Sequence, residues 1–200
     1  RTHPTPDQVY RESADSYDRV GDGEAAEAHD RRATALDDTD WLNWNRLGAL
    51  LTKLGRLGEA REAFETAVRL APEGIYRPLE NLGTLYMYQA EFDKAIEIYE
   101  SVPGPVGYAL HATNVATAYF FKGDMEKAVE YFALAVEVDP KGAELRRNYG
   151  DVLLRTGDRE GALAEYRRAV ALMDEELVHL LKGTGCARIA FGAESGSQRV

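Results

Sequence analysis

Residues 41–72 read WLNWNRLGALLTKLGRLGEAREAFETAVRLAP. Within this stretch Trp44, Leu47, Gly48, Leu51, Gly55, Ala60, Phe64, Ala67 and Pro72 mark out helix, short turn, helix and stop. The same pattern recurs downstream. Gly48, Gly83, Ala116 and Gly150 lie 35, 33 and 34 positions apart. Ala60, Ala95, Ala128 and Ala162 keep those spacings, and so do Phe64, Tyr99, Phe132 and Tyr166. A period near 34 means that one helical hairpin has been copied. Such a unit buries its apolar face only by stacking on its neighbours, so function has to be sought on a surface.

Downstream of residues 41–75, a second copy over 76–108 carries Leu79, Leu82, Gly83, Tyr86, Ala95 and Tyr99. A third over 109–142 carries Val115, Ala116, Tyr119, Gly123, Ala128, Phe132, Ala135 and Pro140, and a fourth over 143–176 carries Tyr149, Gly150, Leu153, Gly157, Ala162, Tyr166 and Ala169. Stepping back one period finds Tyr10, Ala14, Tyr17, Gly21, Ala26 and Ala33, a degenerate hairpin over 7–40 with Asp30 where the others carry an aromatic residue. This set resembles the tetratricopeptide repeat over about residues 7–176. The resemblance implies an all-α fold, a right-handed α-solenoid of about five helix-turn-helix repeats followed by a short non-repeat C-terminal tail.

The small residues let the two helices of a hairpin approach, while the aromatics are expected to fill the space between successive hairpins. Gly55, Gly123 and Gly157 suit turns with a left-handed backbone, and Pro72 and Pro140 end second helices. In the second copy Val102 runs at once into Pro103, Gly104 and Pro105, which predicts an early end to that helix and a stiff extended connection.

Composition narrows the function. The chain has 200 residues, 44% hydrophobic and 29% charged, with 24 basic and 34 acidic side chains and a net charge of -10. That balance repels polyphosphate, so nucleic acid is not an expected partner. No run approaches the roughly 18 apolar residues of a membrane span, and no membrane partner is expected. The single cysteine, Cys186, has no partner for a disulfide, a metal site or a redox pair, which fits a reducing, cytoplasmic location. The true N-terminus is not visible, because the chain opens on Arg1 and closes on Gln198, Arg199 and Val200 without a stop in its pattern. His3, His29, His111 and His179 lack metal-ligand spacing, and there is no nucleotide loop or serine elbow. The reading is of a non-enzyme without cofactor or metal.

The resemblance implies a concave groove lined by the first helix of each hairpin. By repeat register it receives Asn45, Thr52 and Lys53, then Arg77, Thr84, Met87 and Tyr88. The next copies add Thr113, Thr117, Phe120 and Phe121, then Arg147, Asp151, Leu154 and Arg155. Adjacent residues diverge by about 100° on a helix, so Phe120 and Phe121 cannot both enter one packed interface. An aromatic anchor among arginines suits a protein or peptide carrying an apolar and an acidic residue. Alanine at Tyr88 and Phe120 is expected to weaken capture with helicity unchanged. Asn81, Asn114 and Asn148 share one register, with Arg46 in the copy before, and are either a ladder for a peptide backbone or partners of neighbouring backbone. Some arrays of this family clamp the terminal carboxylate of chaperone tails. Asn45 and Asn81 are compatible with that clamp, but Ala49 and Leu110 stand where it needs an asparagine and a cation, which disfavours it.

Beyond the repeats, Leu177, Val178, Leu180 and Leu181 form an apolar face that suits a capping helix over 177–182. Gly183 to Gly185 then breaks the helix, and Arg188 to Phe191 reads as a short strand before a glycine-rich loop. Residues 176–200 resemble an internal segment of radical S-adenosylmethionine enzymes with its Gly-x-Glu-Ser-Gly loop, which implies that Glu194 and Ser195 lie near that cofactor if the domain is complete. The three-cysteine motif for the cluster is absent. The tail over 183–200 is thus expected to be poorly ordered or a fragment of an α/β domain. The alternative function is a partner-recruiting region of a truncated enzyme of that kind.

Overall fold

The computed structural model describes residues 3–102 and 109–183, with side chains described over 3–102 and 110–175. Within these residues the chain is all-α, a right-handed solenoid of ten helices. They are α1 (Pro6–Val20), α2 (Gly23–Leu36), α3 (Trp41–Lys53), α4 (Leu57–Leu70), α5 (Arg77–Tyr88), α6 (Phe92–Ser101), α7 (Ala109–Lys122), α8 (Met125–Val138), α9 (Ala143–Thr156) and α10 (Arg159–Gly183). Consecutive helices pair as antiparallel hairpins, and each second helix packs on the first helix of the next pair. Helix α10 runs unbroken through 177–182. The connection through Pro103, Gly104 and Pro105, the strand at 188–191, and Glu194 and Ser195 lie outside the described residues.

One turn is used in every hairpin. At α1/α2 the Gly21 N–H donates to the carbonyl of Asp18 and the Asp22 N–H to that of Tyr17, and the same pair of bonds recurs at 55/56, 90/91, 123/124 and 157/158. The first residue of each pair must adopt positive φ. Gly55, Gly123 and Gly157 do so at 74°, 92° and 91°, as their spacing predicts. In the second copy Ala90 takes the same conformation at 57°, a strained choice that the sequence pattern conceals. Asp22, Asp124 and Asp158 then cap the second helix, accepting from the backbone N–H three residues on. Helix α6 ends at Ser101 after 10 residues, against 14 in α4 and α8, so it does end early.

Ala60, Ala95 and Ala128 are fully buried and Ala162 is nearly so, because there the two helices of a hairpin touch. The aromatics correct one expectation. A Cβ on Gly48 would lie 2.7 Å from the Phe64 ring, one on Gly83 2.5 Å from Tyr99, and one on Gly150 2.6 Å from Tyr166. Each ring thus sits over the glycine of its own hairpin, and Phe64 and Tyr99 also contribute to the junction with the next. Phe64 accordingly joins a buried cluster with Leu47, Leu51, Leu82 and Leu85 that spans two hairpins.

Asp30 shows what happens where the aromatic is missing. It is 3% exposed, and Arg46, at the asparagine register of the next copy, reaches back to it at 3.6 Å and to Asp15 at 2.6 Å. Burial pushes the Asp30 carboxyl up to about 6, against the pull of Arg46 and with the help of Asp15 and Asp18. Unfolded, it titrates near 4. Between roughly pH 4 and 6 the folded chain therefore holds a proton the unfolded chain has lost, so this group's stabilisation is complete below about pH 4 and gone above about pH 6. Asp30→Asn is expected to flatten that part of the stability profile and to raise stability at pH 7.5 by about 1 kcal/mol. Urea midpoints measured from pH 4 to 8 check this; parallel profiles for both chains would refute it.

Candidate functional site: a concave groove

The first helices α5, α7 and α9 line one face, and two adjoining cavities open on it. The larger, about 440 Å³, is bounded by Thr84, Met87 and Tyr88 of α5, Phe92 and Tyr99 of α6, and Asn114, Thr117 and Phe121 of α7. The smaller, about 240 Å³, is bounded by Thr117, Phe120 and Phe121 of α7, Phe132 of α8, and Asn148, Asp151 and Val152 of α9. Thr117 and Phe121 belong to both, so the two form one trough.

The geometry separates the two phenylalanines. Phe120 is half-buried against the core cluster of Val115, Tyr119, Phe132 and Leu145, whereas Phe121 is 58% exposed. Their rings meet edge to face at 5.4 Å, and Phe121 stacks on Phe92 at 6.0 Å. Tyr88, at the end of α5, is 69% exposed. Phe120 therefore contributes to folding as well as to the trough, and Tyr88 with Phe121 is the pair whose removal leaves the core intact.

Charge sits at the rim. Arg155 lies over the Phe120 ring at 4.9 Å. Arg147 is exposed and donates to Glu144 and to the Asn148 side chain. Arg77, also exposed, stands at the start of α5 and borders neither cavity, whose α5 lining begins at Thr84. Asp151 brings an opposing charge to the smaller cavity, but it accepts from the Tyr166 hydroxyl at 2.7 Å, a bond that pushes the Tyr166 phenol up to about 12. In the larger cavity the Tyr99 hydroxyl is within 3.1 Å of Thr84, and burial raises its phenol.

The remaining residues selected by register are distributed differently. Asn45 is 5% exposed and accepts from the Asn81 amide at 2.9 Å, so these two spend part of their capacity on each other. Lys53 is tied to Asp18. Neither Asn45 nor Lys53 borders the two cavities. Asn114 and Asn148 do. Register reasoning missed Phe92, Tyr99 and Phe132, which come from second helices. The available signal was the position of Phe92, two residues past a turn and directly across from the end of α5.

Among the described residues no three His, Cys, Asp or Glu side chains gather as metal ligands. No described helix is long and apolar enough to cross a membrane.

Stacked helical hairpins with a trough on the face of their first helices define a helical-repeat solenoid. The chain belongs to the tetratricopeptide repeat family, whose model matches residues 38–102 and 106–175. Among solved structures it is similar to MamA 41-end from Desulfovibrio magneticus RS-1, with 20% identity, 87% of this chain and 98% of that chain covered, and a TM-score of 0.72. YrrB, described as a TPR protein with an unusual peptide-binding site, aligns with 22% identity, 88% and 90% coverage and a TM-score of 0.62. The Cut9–Hcn1 hetero-tetramer of the APC/C aligns with 17% identity over 83% of this chain and 33% of that one, with a TM-score of 0.66. No curated protein matches.

Proposed function

We propose that this chain is a non-catalytic protein-interaction scaffold that holds an extended peptide segment in the trough between α5, α7 and α9. The observation that carries the reading is the exposure of Tyr88 and Phe121 over a continuous apolar cavity. Two large rings held open to water beside a recess of this size fit a hot spot for one apolar side chain. Thr84, Asn114 and Thr117 supply polar groups for the peptide backbone, while Arg155 over the Phe120 ring and Arg147 beside Asn148 favour an acidic residue nearby. The likeness to YrrB supports a peptide as the ligand class. Five hairpins, divided as 7–40, 41–75, 76–108, 109–142 and 143–176, form the supporting array.

The test is a set of fluorescent peptides that each carry one Phe or Leu and one Asp or Glu, titrated by anisotropy. Tyr88→Ala with Phe121→Ala is expected to lower affinity by at least about tenfold, since truncating a hot-spot ring removes roughly 2 kcal/mol, with far-UV circular dichroism unchanged. Arg147→Ala with Arg155→Ala should reduce the salt dependence of binding. Absence of binding by the wild type, or equal binding by the aromatic variant, would remove the trough from consideration.

A further inference from the structure

The junction inside the array is always of one kind: a second helix meets the next first helix, as in α2 on α3, α4 on α5, α6 on α7 and α8 on α9. Comparing equivalent registers shows what each side contributes. On the second helix, Ile96 and Val129 occupy one register and Val68 and Val136 another, and all four are buried or half-buried against the core clusters. The equivalents in α10 are Leu163 and Val170, which are 48% and 57% exposed, with Met173 beside them at 60%. On the first helix, Asn43, Pro78 and Leu145 share a register and are buried. Asn43 donates across its junction to the carbonyls of Ala33 and Asp37, and Leu145 lies in the cluster against which Val129 and Val136 pack. Their equivalent in α1 is Val9, 50% exposed.

The two outer faces are therefore the two halves of the junction between hairpins, apolar at the Leu163 register in α6 and α8 where α2 and α4 carry Glu27 and Arg61, and each is left without its counterpart among the described residues. We infer that α10 of one copy docks through Leu163 and Val170 on the Val9 face of α1 of a second copy, continuing the solenoid from chain to chain. The contact is heterologous, so it does not close into a two-fold dimer but propagates head to tail. The occupant is fixed by continuity with the internal junctions: a second helix of this register seats on a first helix of this register. The helix pair is small, which makes the association weak and concentration dependent. Because each copy carries a net charge of -10, added salt strengthens it by screening repulsion.

The test is sedimentation equilibrium of the full chain, from roughly 1 μM to 1 mM to cover weak interfaces. The wild-type weight-average mass is expected to climb past twice that of the chain without a plateau. Val9→Glu alone, and Leu163→Glu with Val170→Glu, should each remain monomeric while keeping wild-type helicity. Mixed in equal amounts, these two variants each retain one intact face, so they should form a species of twice the chain mass and nothing larger. A wild type that stays monomeric, a mixture that stays monomeric, or an end variant that still dimerises by itself would each overturn the inference. Tyr88→Ala with Phe121→Ala separates it from the trough reading: association should be unaffected, and its loss would mean that copies meet through the trough instead.

Discussion

Glu165→Ala is expected to destabilise the last hairpin by about 3–5 kcal/mol, the range for a buried ion pair that loses one partner. Arg146 in α9 is 9% exposed; its Nη1 donates to Glu165 Oε2 at 2.6 Å, and its Nε and Nη2 donate to the carbonyl of Pro140 at 2.9 and 2.7 Å. Glu165 in α10 is 6% exposed and is also held by Arg168. Without the carboxylate the guanidinium remains buried with a single neutral acceptor. In the second copy the same two registers carry Leu79 and Ile98, so the fold accepts an apolar pair there. Arg146→Leu combined with Glu165→Ile is accordingly expected to stay within about 1 kcal/mol of the wild type. Hydrogen exchange resolves both cases: amides of α9 and α10 should lose protection in the single variant and keep it in the double one, since stability in an array is a sum over neighbouring units. Unchanged protection in Glu165→Ala would show that the pair contributes little.

The second large effect is expected at Gly83, where Gly83→Val should cost about 3 kcal/mol, at the upper end for overpacking a filled core. The first added carbon would meet the Tyr99 ring at 2.5 Å. That ring has no room to withdraw, being 2% exposed and held by its hydroxyl next to Thr84. Gly83→Ala is the informative comparison. In the third copy the register holds Ala116 opposite Phe132, so a methyl group is tolerated where the helices are spaced for it. The alanine variant should lose less than half as much as valine in urea unfolding. Equal losses would indicate that the first added carbon, rather than the volume beyond it, governs the site.

These two sites differ in how far the sequence announces them. Gly83 is legible because its period matches Gly48 and Gly150 and because Tyr99 follows at the spacing of Phe64 and Tyr166. The Arg146–Glu165 pair has no such signature, since it occurs in one copy only. The trough divides likewise. Register selects Tyr88, Asn114, Phe120, Phe121 and Asn148, all of which border the cavities. It also selects Asn45, which is buried, accepts from Asn81 and borders neither cavity, and it overlooks Phe92.

Periodicity was sufficient for the hairpins, their glycine turns and their stacking order, because contacts in such an array are local or one period away and so leave a mark at a fixed spacing. Three matters fell outside its reach: which of two adjacent rings faces water, which polar side chains consume one another, and where Arg46 replaces a missing aromatic by reaching back to Asp30. Those outcomes depend on how neighbouring helices mesh. Side-chain direction and burial differ from copy to copy at positions whose spacing is identical, and only the packed helices resolve them.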